Sequence, residues 1–281
     1  MRNDPCARRV VVVILDGLRP DAIDRFGLSY VARLMAGGAS SCSATTVTPS
    51  VTAAALTSLM TGVSPQMHGL ASDRVFIPKP RAGIVPLPEY LARRGIPSTA
   101  FMTEVPALFR GIAVRIGRRL GLSGLFTVGK SAADVLAAAR ETLRKQKHGL
   151  IVLHWPDADR AGHAHGWMTP QYAAGCRRLD ICLRMLASSI SDPDTLLIAL
   201  ADHGGGGAKP RDHESGHPFD QTIPVVLSGA GVARGELLET SLLDVPATIL
   251  HALGVAVPEW YEGRVLYEAF ARRDTPQPAV A

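Results

Sequence analysis

Short apolar runs alternate with longer amphipathic stretches along most of the chain. Runs rich in Val, Ile and Leu, each about as long as one strand, occupy residues 8–17, 98–103, 149–155, 194–204 and 222–229. Such unbroken runs are typical of strands that are covered on both faces of a sheet. The stretches between them predict helices over residues 52–61, 88–94, 132–145, 170–187 and 243–253.

This alternation of strands with helices indicates an α/β protein. We expect a three-layer α/β/α sandwich with a largely parallel central sheet. No repeat or low-complexity linker divides the chain, so residues 1–273 are interpreted as one catalytic domain and residues 274–281 as a flexible tail. Residues 104–130 break the alternation and are interpreted as a small insertion or cap over the sheet edge. In such folds, functional side chains collect at the carboxyl ends of the strands.

The composition supports a folded protein and leaves the role of its charge open. Of 281 residues, 47% are hydrophobic and 20% are charged, so the chain can bury a large core and global disorder is excluded. The net charge is +5. A basic balance suits nucleic acid or an anionic surface, but no nucleic-acid motif accompanies it, so we interpret the charge as a solvated surface. We expect no stable nucleic-acid partner, and a homo-oligomer stays an open alternative.

Cysteine usage and the first apolar run predict a cytoplasmic protein. None of the four cysteines forms a CxxC pair, so we interpret them as thiols of a reducing compartment. The run from Val10 to Leu15 is too short for a signal-peptide core or a membrane span, and it ends in Asp16. We therefore expect no membrane partner.

Acidic and imidazole side chains follow the predicted strands at several strand ends. Together they would be costly to desolvate without partners. A pair of divalent cations would neutralise the carboxylates and use the imidazoles as ligands. A single Asp at a strand end is commonly a cap or turn residue, so the indication comes from the set: Asp16, Asp159, His163, Asp202, His203 and His213.

The spacing within this set adds to the prediction. Asp159 and His163 are four residues apart, and Gly162 between them would permit a tight turn. Four glycines at residues 204–207 follow Asp202 and His203, which would let the backbone run close to a site. The alternative is a flexible loop without a function.

Thr52 is the candidate nucleophile, at the point where a loop turns into a predicted helix. Orphan amides and the helix dipole favour anions at such an N-terminus. Taken by itself, this segment favours a simple capping role for Thr52, and only the candidate metal ligands elsewhere favour catalysis.

The chain resembles the alkaline phosphatase superfamily, and within it the nucleotide pyrophosphatase/phosphodiesterase-like branch. The resemblance extends from VVVILDGLRPDAI near the start to LLDVPATILHALGV near the end. It includes a T-G-x-x-P-x-x-H-G segment at residues 61–69, a D-x-x-x-H pair at residues 159–163 and D-H-G at residues 202–204.

The resemblance implies a role for each candidate residue. Thr52, ten residues before Gly62, matches the nucleophile. His217 is a rival to His213 for the last histidine, because the TIP strand follows both. The implied ligands of one metal are Asp159, His163 and His213, and those of the other are Asp16, Asp202, His203 and the oxygen of Thr52. We expect zinc, with manganese or iron as alternatives.

Three other histidines are not predicted to bind metal. His68 is expected to anchor the loop after the nucleophile helix, and His165 is expected at the surface or around the site. His154 is assigned no role.

The implied activity is hydrolysis of a small-molecule phosphoric ester, in the manner of a phosphodiesterase, through a phospho-threonine intermediate. A phosphomonoesterase or phosphonate hydrolase of the same superfamily is the alternative. Relatives often carry an Asn where this chain has Asp73, and an ionised Asp would repel a phosphate oxygen. Ser72 offers a donor instead, so Ser72 and Asp73 are the candidate substrate-binding residues.

Three rival functions are weaker. Residues 124–131, GLFTVGKS, fit the P-loop pattern G-x-x-x-x-G-K-[ST], but no convincing strand precedes them and the loop interior is bulky. A non-catalytic binding protein would have lost some of the ligand set. A serine hydrolase would need a G-x-S-x-G elbow, which is missing from the sequence.

Overall fold

A central sheet of eight strands organises the protein, in a computed structural model that describes residues 5–71, 83–105, 110–190 and 192–271. Ser72, Asp73 and the predicted tail at residues 274–281 lie outside the described residues. In chain order the strands are β1 (Arg9–Leu15), β2 (Ala39–Thr45), β3 (Ser98–Met102), β4 (Gly124–Thr127), β5 (Gly149–Trp155), β6 (Thr195–Leu200), β7 (Thr222–Gly229) and β8 (Gly235–Glu236).

The strand order is β4-β3-β5-β1-β6-β7-β2-β8, with β1 near the centre. β1 is parallel to β5 and β6, and β3 is parallel to β4 and β5. β7 alone runs in the opposite direction, antiparallel to both β6 and β2. The largely parallel sheet is therefore confirmed. Because β7 is reversed, its first residues lie at the edge where β1, β5 and β6 end.

Helices flank the sheet and include all five that the sequence predicts, two with the predicted ends and three with shifted ends. The helices pack on one another in two groups. With the labels given below, one group contains α2, α7, α8 and α9, and the other contains α3, α4, α5 and α11. In chain order the helices are α1 (Asp21–Arg25), α2 (Ser29–Gly37), α3 (Thr52–Thr61), α4 (Pro65–His68), α5 (Leu87–Ala92), α6 (Arg110–Arg119), α7 (Ala132–Lys145), α8 (Asp157–His165), α9 (Pro170–Ser189), α10 (Pro218–Gln221) and α11 (Asp244–Ala252), followed by a 3-10 turn at Tyr267–Ala269.

The segment 104–130 differs from its interpretation as a cap. Its described part contains α6 and β4, and β4 pairs in parallel with β3 at the edge of the sheet. The described part of the segment thus extends the sheet by one strand, β4, and α6 packs against that strand. β4 escaped prediction because its four residues are only partly buried and lack the continuous apolar run of a central strand.

β2 was not predicted either, because small polar residues hide it. β2 has the sequence ASSCSAT, yet it lies between β7 and β8 and buries only alternate or small side chains.

Among the helices that the structure describes, none is both long enough and apolar enough to cross a membrane.

Candidate active site

Asp16 follows the last residue of β1 and is only 3% exposed. Its Oδ2 lies 3.1 Å from Nε2 of His154, on the neighbouring strand β5. Its Oδ1 lies 3.3 Å from Nε2 of His203 but without hydrogen-bond geometry. A buried carboxylate oxygen in this position requires a positive partner.

Asp202 and His203 follow β6, and both are fully buried. Asp202 accepts hydrogen bonds through Oδ1 from the backbone N–H groups of Gly17 and His203. Its Oδ2 lies 3.6 Å from Nε2 of His203 and has no hydrogen-bond partner among the described residues. The carboxyl end of β6 therefore presents a second unsatisfied oxygen beside Asp16.

Asp159 and His163 lie on α8, where the sequence analysis expected a tight turn. Residues four apart on a helix share a face, and here Nε2 of His163 is 3.3 Å from Oδ1 of Asp159. The N–H of Asp159 donates to the carbonyl of Asp16, which joins α8 to the end of β1. The expected turn was wrong because Gly162 serves close packing inside the helix instead.

His213, not its rival His217, reaches the cluster. Nε2 of His213 lies 3.1 Å from Nε2 of His163 and 3.9 Å from Oδ1 of Asp159. His217 is exposed, and its Nδ1 accepts the N–H of Phe219 at the start of α10. The reversed direction of β7 explains the result, because the loop before β7 returns to the edge where β6 ends.

A common hydrogen-bond pattern orients the three histidines of the set. In each, Nδ1 contacts a backbone carbonyl, and since a carbonyl can only accept, Nδ1 carries the proton. Whenever Nε2 is unprotonated, each ring directs an Nε2 lone pair into the cluster, as metal-bound histidines do. The pairs are His163 with Arg211 at 3.0 Å, His203 with Gly204 at 2.9 Å and His213 with Ser50 at 2.6 Å.

These contacts fit divalent cations. Lone pairs of His163 and His213 only 3.1 Å apart repel each other unless a proton or a cation lies between them. Mixed nitrogen and carboxylate ligands suit zinc and related metals. Among the residues that the structure describes, ligand atoms within 4.8 Å of one another form three groups: Asp159, His163 and His213; Asp16, Asp159 and His203; and Asp16, His154 and Asp202.

The charges of the cluster shift its acid–base equilibria. Burial opposes ionisation of Asp16, but His154 and His203 hold its pKa below the ordinary value. Burial and the charge of Asp16 raise the pKa of Asp202 to about 6. Burial would lower the pKa of His203, but Asp202 and Asp16 raise it well above the ordinary value. The neighbouring carboxylates thus favour a positive charge on His203.

His213 responds in the opposite direction. Its burial and the neighbouring charge of His203 lower its pKa to about 4. The ring is therefore neutral at pH 7 and available as a ligand.

Thr52 is the first residue of α3, and it does not cap the helix. Val51 occupies the N-cap position, without a side-chain cap hydrogen bond. The Oγ1 of Thr52 instead lies 3.0 Å from Nε2 of His203. The capping alternative for Thr52 is therefore excluded in this structure, and its hydroxyl adjoins the Asp16 and Asp202 carboxylates through His203.

His154 is a site residue that the sequence analysis missed. It is 8% exposed and lies on β5, within the apolar run GLIVLHW. A histidine inside such a run was the available signal. His68 is buried as expected, accepting the N–H of Leu70 at Nδ1 and contacting the hydroxyl of Ser58 at 3.0 Å, whereas His165 is exposed at the end of α8.

The structure excludes a P-loop at residues 124–131. Residues 124–127 form β4 itself, not a loop after a strand. The N–H groups of Lys130 and Ser131, which would bind a phosphate, already donate to the carboxylate of Asp134. The side chain of Lys130 is 80% exposed and lies 4.0 Å from Glu104.

Comparison with family models gives two matches. The model of the Metalloenzyme superfamily matches residues 114–257, just over half of the chain. The model of type I phosphodiesterase / nucleotide pyrophosphatase matches residues 10–85. The first match includes five of the seven candidate ligands and the second includes the other two, Asp16 and Thr52.

The chain is also similar to an enzyme of known activity over about half of its length. The chain is 28% identical over 138 residues to a 2,3-bisphosphoglycerate-independent phosphoglycerate mutase of Acetivibrio thermocellus, a match that covers 48% of this chain and 26% of the mutase. The chain thus spans about a quarter of the length of that relative.

Solved structures share the fold. Murine ectonucleotide pyrophosphatase / phosphodiesterase 5, in an inactive form with AMP, aligns with a TM-score of 0.71 at 14% identity, over 94% of this chain and all of that chain (100%). A protein of the alkaline phosphatase superfamily from Vibrio parahaemolyticus aligns with a TM-score of 0.70 at 17% identity, over 96% of this chain and 73% of that chain. These matches confirm the expected alkaline phosphatase-like fold.

Proposed function

We propose, because the chain belongs to the Metalloenzyme superfamily, that it is a metal-dependent hydrolase of phosphoric esters with Thr52 as its nucleophile. The observation that carries this proposal is the position of the Thr52 hydroxyl. It lies 3.0 Å from Nε2 of His203, at the start of α3, and takes no part in capping the helix.

The chain offers ligands for two cations. Asp159, His163 and His213 would hold one, and Asp16, Asp202, His203 and Thr52 would hold the other. Bound divalent cations would neutralise the carboxylates, lower the pKa of the Thr52 hydroxyl and polarise the phosphoryl group. Zinc is our choice among the candidates because the ligands mix imidazole with carboxylate, with manganese and iron as alternatives.

Each step of the reaction forms one bond to phosphorus and breaks another. Oγ1 of Thr52 loses its proton and attacks phosphorus, and the bond from phosphorus to the leaving alcohol breaks, so the phosphoryl group is carried on Thr52. Water then attacks phosphorus, the bond to Oγ1 breaks, and Thr52 regains a proton. A diester would yield an alcohol and a phosphomonoester, whereas a monoester would yield an alcohol and inorganic phosphate.

We favour a diester substrate, because residues 10–85 match the type I phosphodiesterase model. Ser72 and Asp73 remain our candidates for contacts to the substrate. The four cysteines are unpaired, which agrees with a reducing, cytoplasmic location.

A second candidate function is transfer of the phosphoryl group from Thr52 to a hydroxyl group instead of water. The similarity to phosphoglycerate mutases, which are phosphoryl-transferring enzymes, favours it. Product analysis with an added alcohol distinguishes the two, because transfer would yield a new phosphate ester and hydrolysis would not.

The test combines metal content with hydrolysis of bis-p-nitrophenyl phosphate and p-nitrophenyl phosphate. We expect divalent metal in the purified protein and a loss of activity of about 10³-fold or more in Thr52→Ala. Thr57→Ala is the matched control, because Thr57 is on the same helix and its hydroxyl donates to the carbonyl of Ala53. A protein without metal affinity, or a fully active Thr52→Ala variant, would contradict the proposal.

A further inference from the structure

Trp167 lies beside the Asp159–His163–His213 cluster, just after α8. Its indole ring is 6% exposed. It meets the ring of His163 edge to face, with centroids 5.3 Å apart and planes at 80°. It meets the ring of His213 in the same manner, at 5.9 Å and 68°. One buried aromatic ring therefore contacts both imidazoles of the cluster.

Trp167 also joins two of the segments that carry candidate ligands. Its Nε1–H donates to the carbonyl of Gly17 at 3.0 Å, and the N–H of Gly17 donates to Oδ1 of Asp202 at 3.3 Å. Its backbone N–H donates to the carbonyl of Pro210, in the loop before His213, at 3.0 Å. The residue thus fixes the end of β1 relative to that loop.

The chain makes room for this ring with glycines. A Cβ at Gly162 would lie 2.6 Å from the indole, and one at Gly205 would lie 2.1 Å from it. At Gly206 the corresponding distance, to Cβ of Trp167, is 2.6 Å. Real Cβ atoms do not approach other atoms so closely, so these positions tolerate only glycine while Trp167 is present. Part of the glycine run at residues 204–207 is explained by this packing.

We propose that Trp167 is a positioning residue for the metal site formed by Asp159, His163 and His213. The inference rests on the proposed function, which supplies the metal. Each Nδ1–H bond to a carbonyl sets which nitrogen faces the cluster, but the ring can still tilt about that bond. The indole removes this freedom. His163 depends on it most, because its side chain is 46% exposed and solvent leaves its outer face unsupported.

The same contacts make Trp167 a reporter of the site. A cobalt ion held by His163 and His213 would lie within a few ångströms of the indole, close enough to quench its fluorescence. Trp260 serves as the matched control, since its ring contacts among the described residues are with Tyr90 at 5.9 Å and Tyr261 at 6.3 Å.

The experiment titrates metal-free protein with Co²⁺ and follows tryptophan emission, bound cobalt and the unfolding temperature without metal. Trp167→Phe keeps an aromatic ring but loses the bond to Gly17. We expect this variant to bind cobalt about 10- to 100-fold more weakly at one of two sites and to lose most of the quenching. Trp260→Phe is expected to behave like the wild type.

The outcomes separate the inference from the proposed function. If the wild type binds no cobalt, the proposed function fails and this inference fails with it. If the wild type binds two ions and Trp167→Phe binds both with unchanged affinity, only the positioning role is overturned. Should Trp167→Phe not fold, Gly162→Ala decides, because it keeps Trp167 and every candidate ligand while its Cβ would displace the indole. Weaker cobalt binding at one of the two sites then supports the inference, and unchanged affinity overturns it.

Discussion

The carboxylate of Asp202 shows at the scale of one residue why this cluster needs an additional positive charge. It is fully buried beside Asp16, and one of its oxygens has no hydrogen-bond partner among the described residues. The neighbouring His203 supplies a positive charge only by binding a proton. A cation would replace that proton and would satisfy both carboxylates at once.

Metal binding at this cluster should therefore depend on pH. The pKa of Asp202 is raised to about 6, so the group is neutral below pH 6 and ionised above it. A cation needs the ionised form, so protons compete with metal in acid. We expect metal affinity to fall by up to about tenfold per pH unit as pH drops below 6, measured by titration calorimetry. An affinity that stays constant from pH 7 to pH 5 would contradict this assignment.

Sequence patterns identified most residues of the cluster but not their arrangement. Asp16, Asp202 and His203 follow apolar strands directly, so their convergence could be expected. His154 could not, because a histidine within a buried strand offers no pattern of its own. The capping role of Thr52 could be excluded only from the structure, where Val51 occupies the N-cap position and the Thr52 hydroxyl lies 3.0 Å from His203.

Secondary-structure elements position the cluster through their direction and their ends. α7 packs beside the sheet. The carbonyl groups at its end accept hydrogen bonds from the guanidinium of Arg9, which is the first residue of β1. Arg9 is 1% exposed and donates to the carbonyls of Leu143 and Gln146, at 2.7 and 2.8 Å, and to the hydroxyl of Thr195 at 3.0 Å. The central strand is thereby tied to a helix and to β6 at the edge opposite the active site.

Replacing Arg9 tests this connection. Arg9→Met would remove three hydrogen bonds from a charged donor and leave buried carbonyls unsatisfied, so we expect a loss of about 2–4 kcal/mol in the free energy of unfolding. Denaturant unfolding measures it, with Arg8→Met as the control because Arg8 is exposed. Equal stability of the two variants would show that the bonds of Arg9 contribute little.

A substitution in α8 tests how closely this helix packs against Trp167. Gly162→Ala would place a Cβ 2.6 Å from the ring of Trp167, and overpacking of this kind costs about 1–3 kcal/mol. Gly216→Ala is the control, because a Cβ there meets nothing within 4 Å. Thermal unfolding should separate the variants, and a Gly162→Ala protein as stable as Gly216→Ala would mean that the ring moves without cost.

The elements themselves were predictable where burial was uniform. β1, β5 and β6 are continuous apolar runs because helices cover both faces, and α7 and α3 begin and end where the sequence pattern indicates. The direction of β7 was not predictable, since an apolar run is the same in either direction. β2 and β4 were missed because their small, polar or half-exposed residues lack the pattern of a central strand.

At the scale of the whole molecule, the sheet, the cluster and the matched families support one account. Strand ends from β1 and β6, helix α8, the loop before β7 and the start of α3 meet at one edge. The cluster joins segments from residue 16 to residue 213, so cations bound there would link most of the chain and would favour the folded state.

Metal removal should therefore lower the stability of the protein. A cation present at 100 times its dissociation constant contributes about 2.7 kcal/mol, so removing the two proposed cations should lower the unfolding temperature by on the order of 10 °C. Thermal unfolding with EDTA, followed by addition of zinc, measures the change. Asp202→Asn should show a smaller response to EDTA, and an unfolding temperature that is independent of EDTA in the wild type would argue against bound structural cations.

The most direct test of the central claim is to trap the phosphoryl group on Thr52. Protein mixed with bis-p-nitrophenyl phosphate is quenched in acid, digested and examined by peptide mass spectrometry. The account predicts a peptide that carries one phosphoryl group on Thr52 in the wild type and no such peptide in Thr52→Ala. Turnover without a phosphorylated peptide, or a phosphoryl group on a residue other than Thr52, would contradict it.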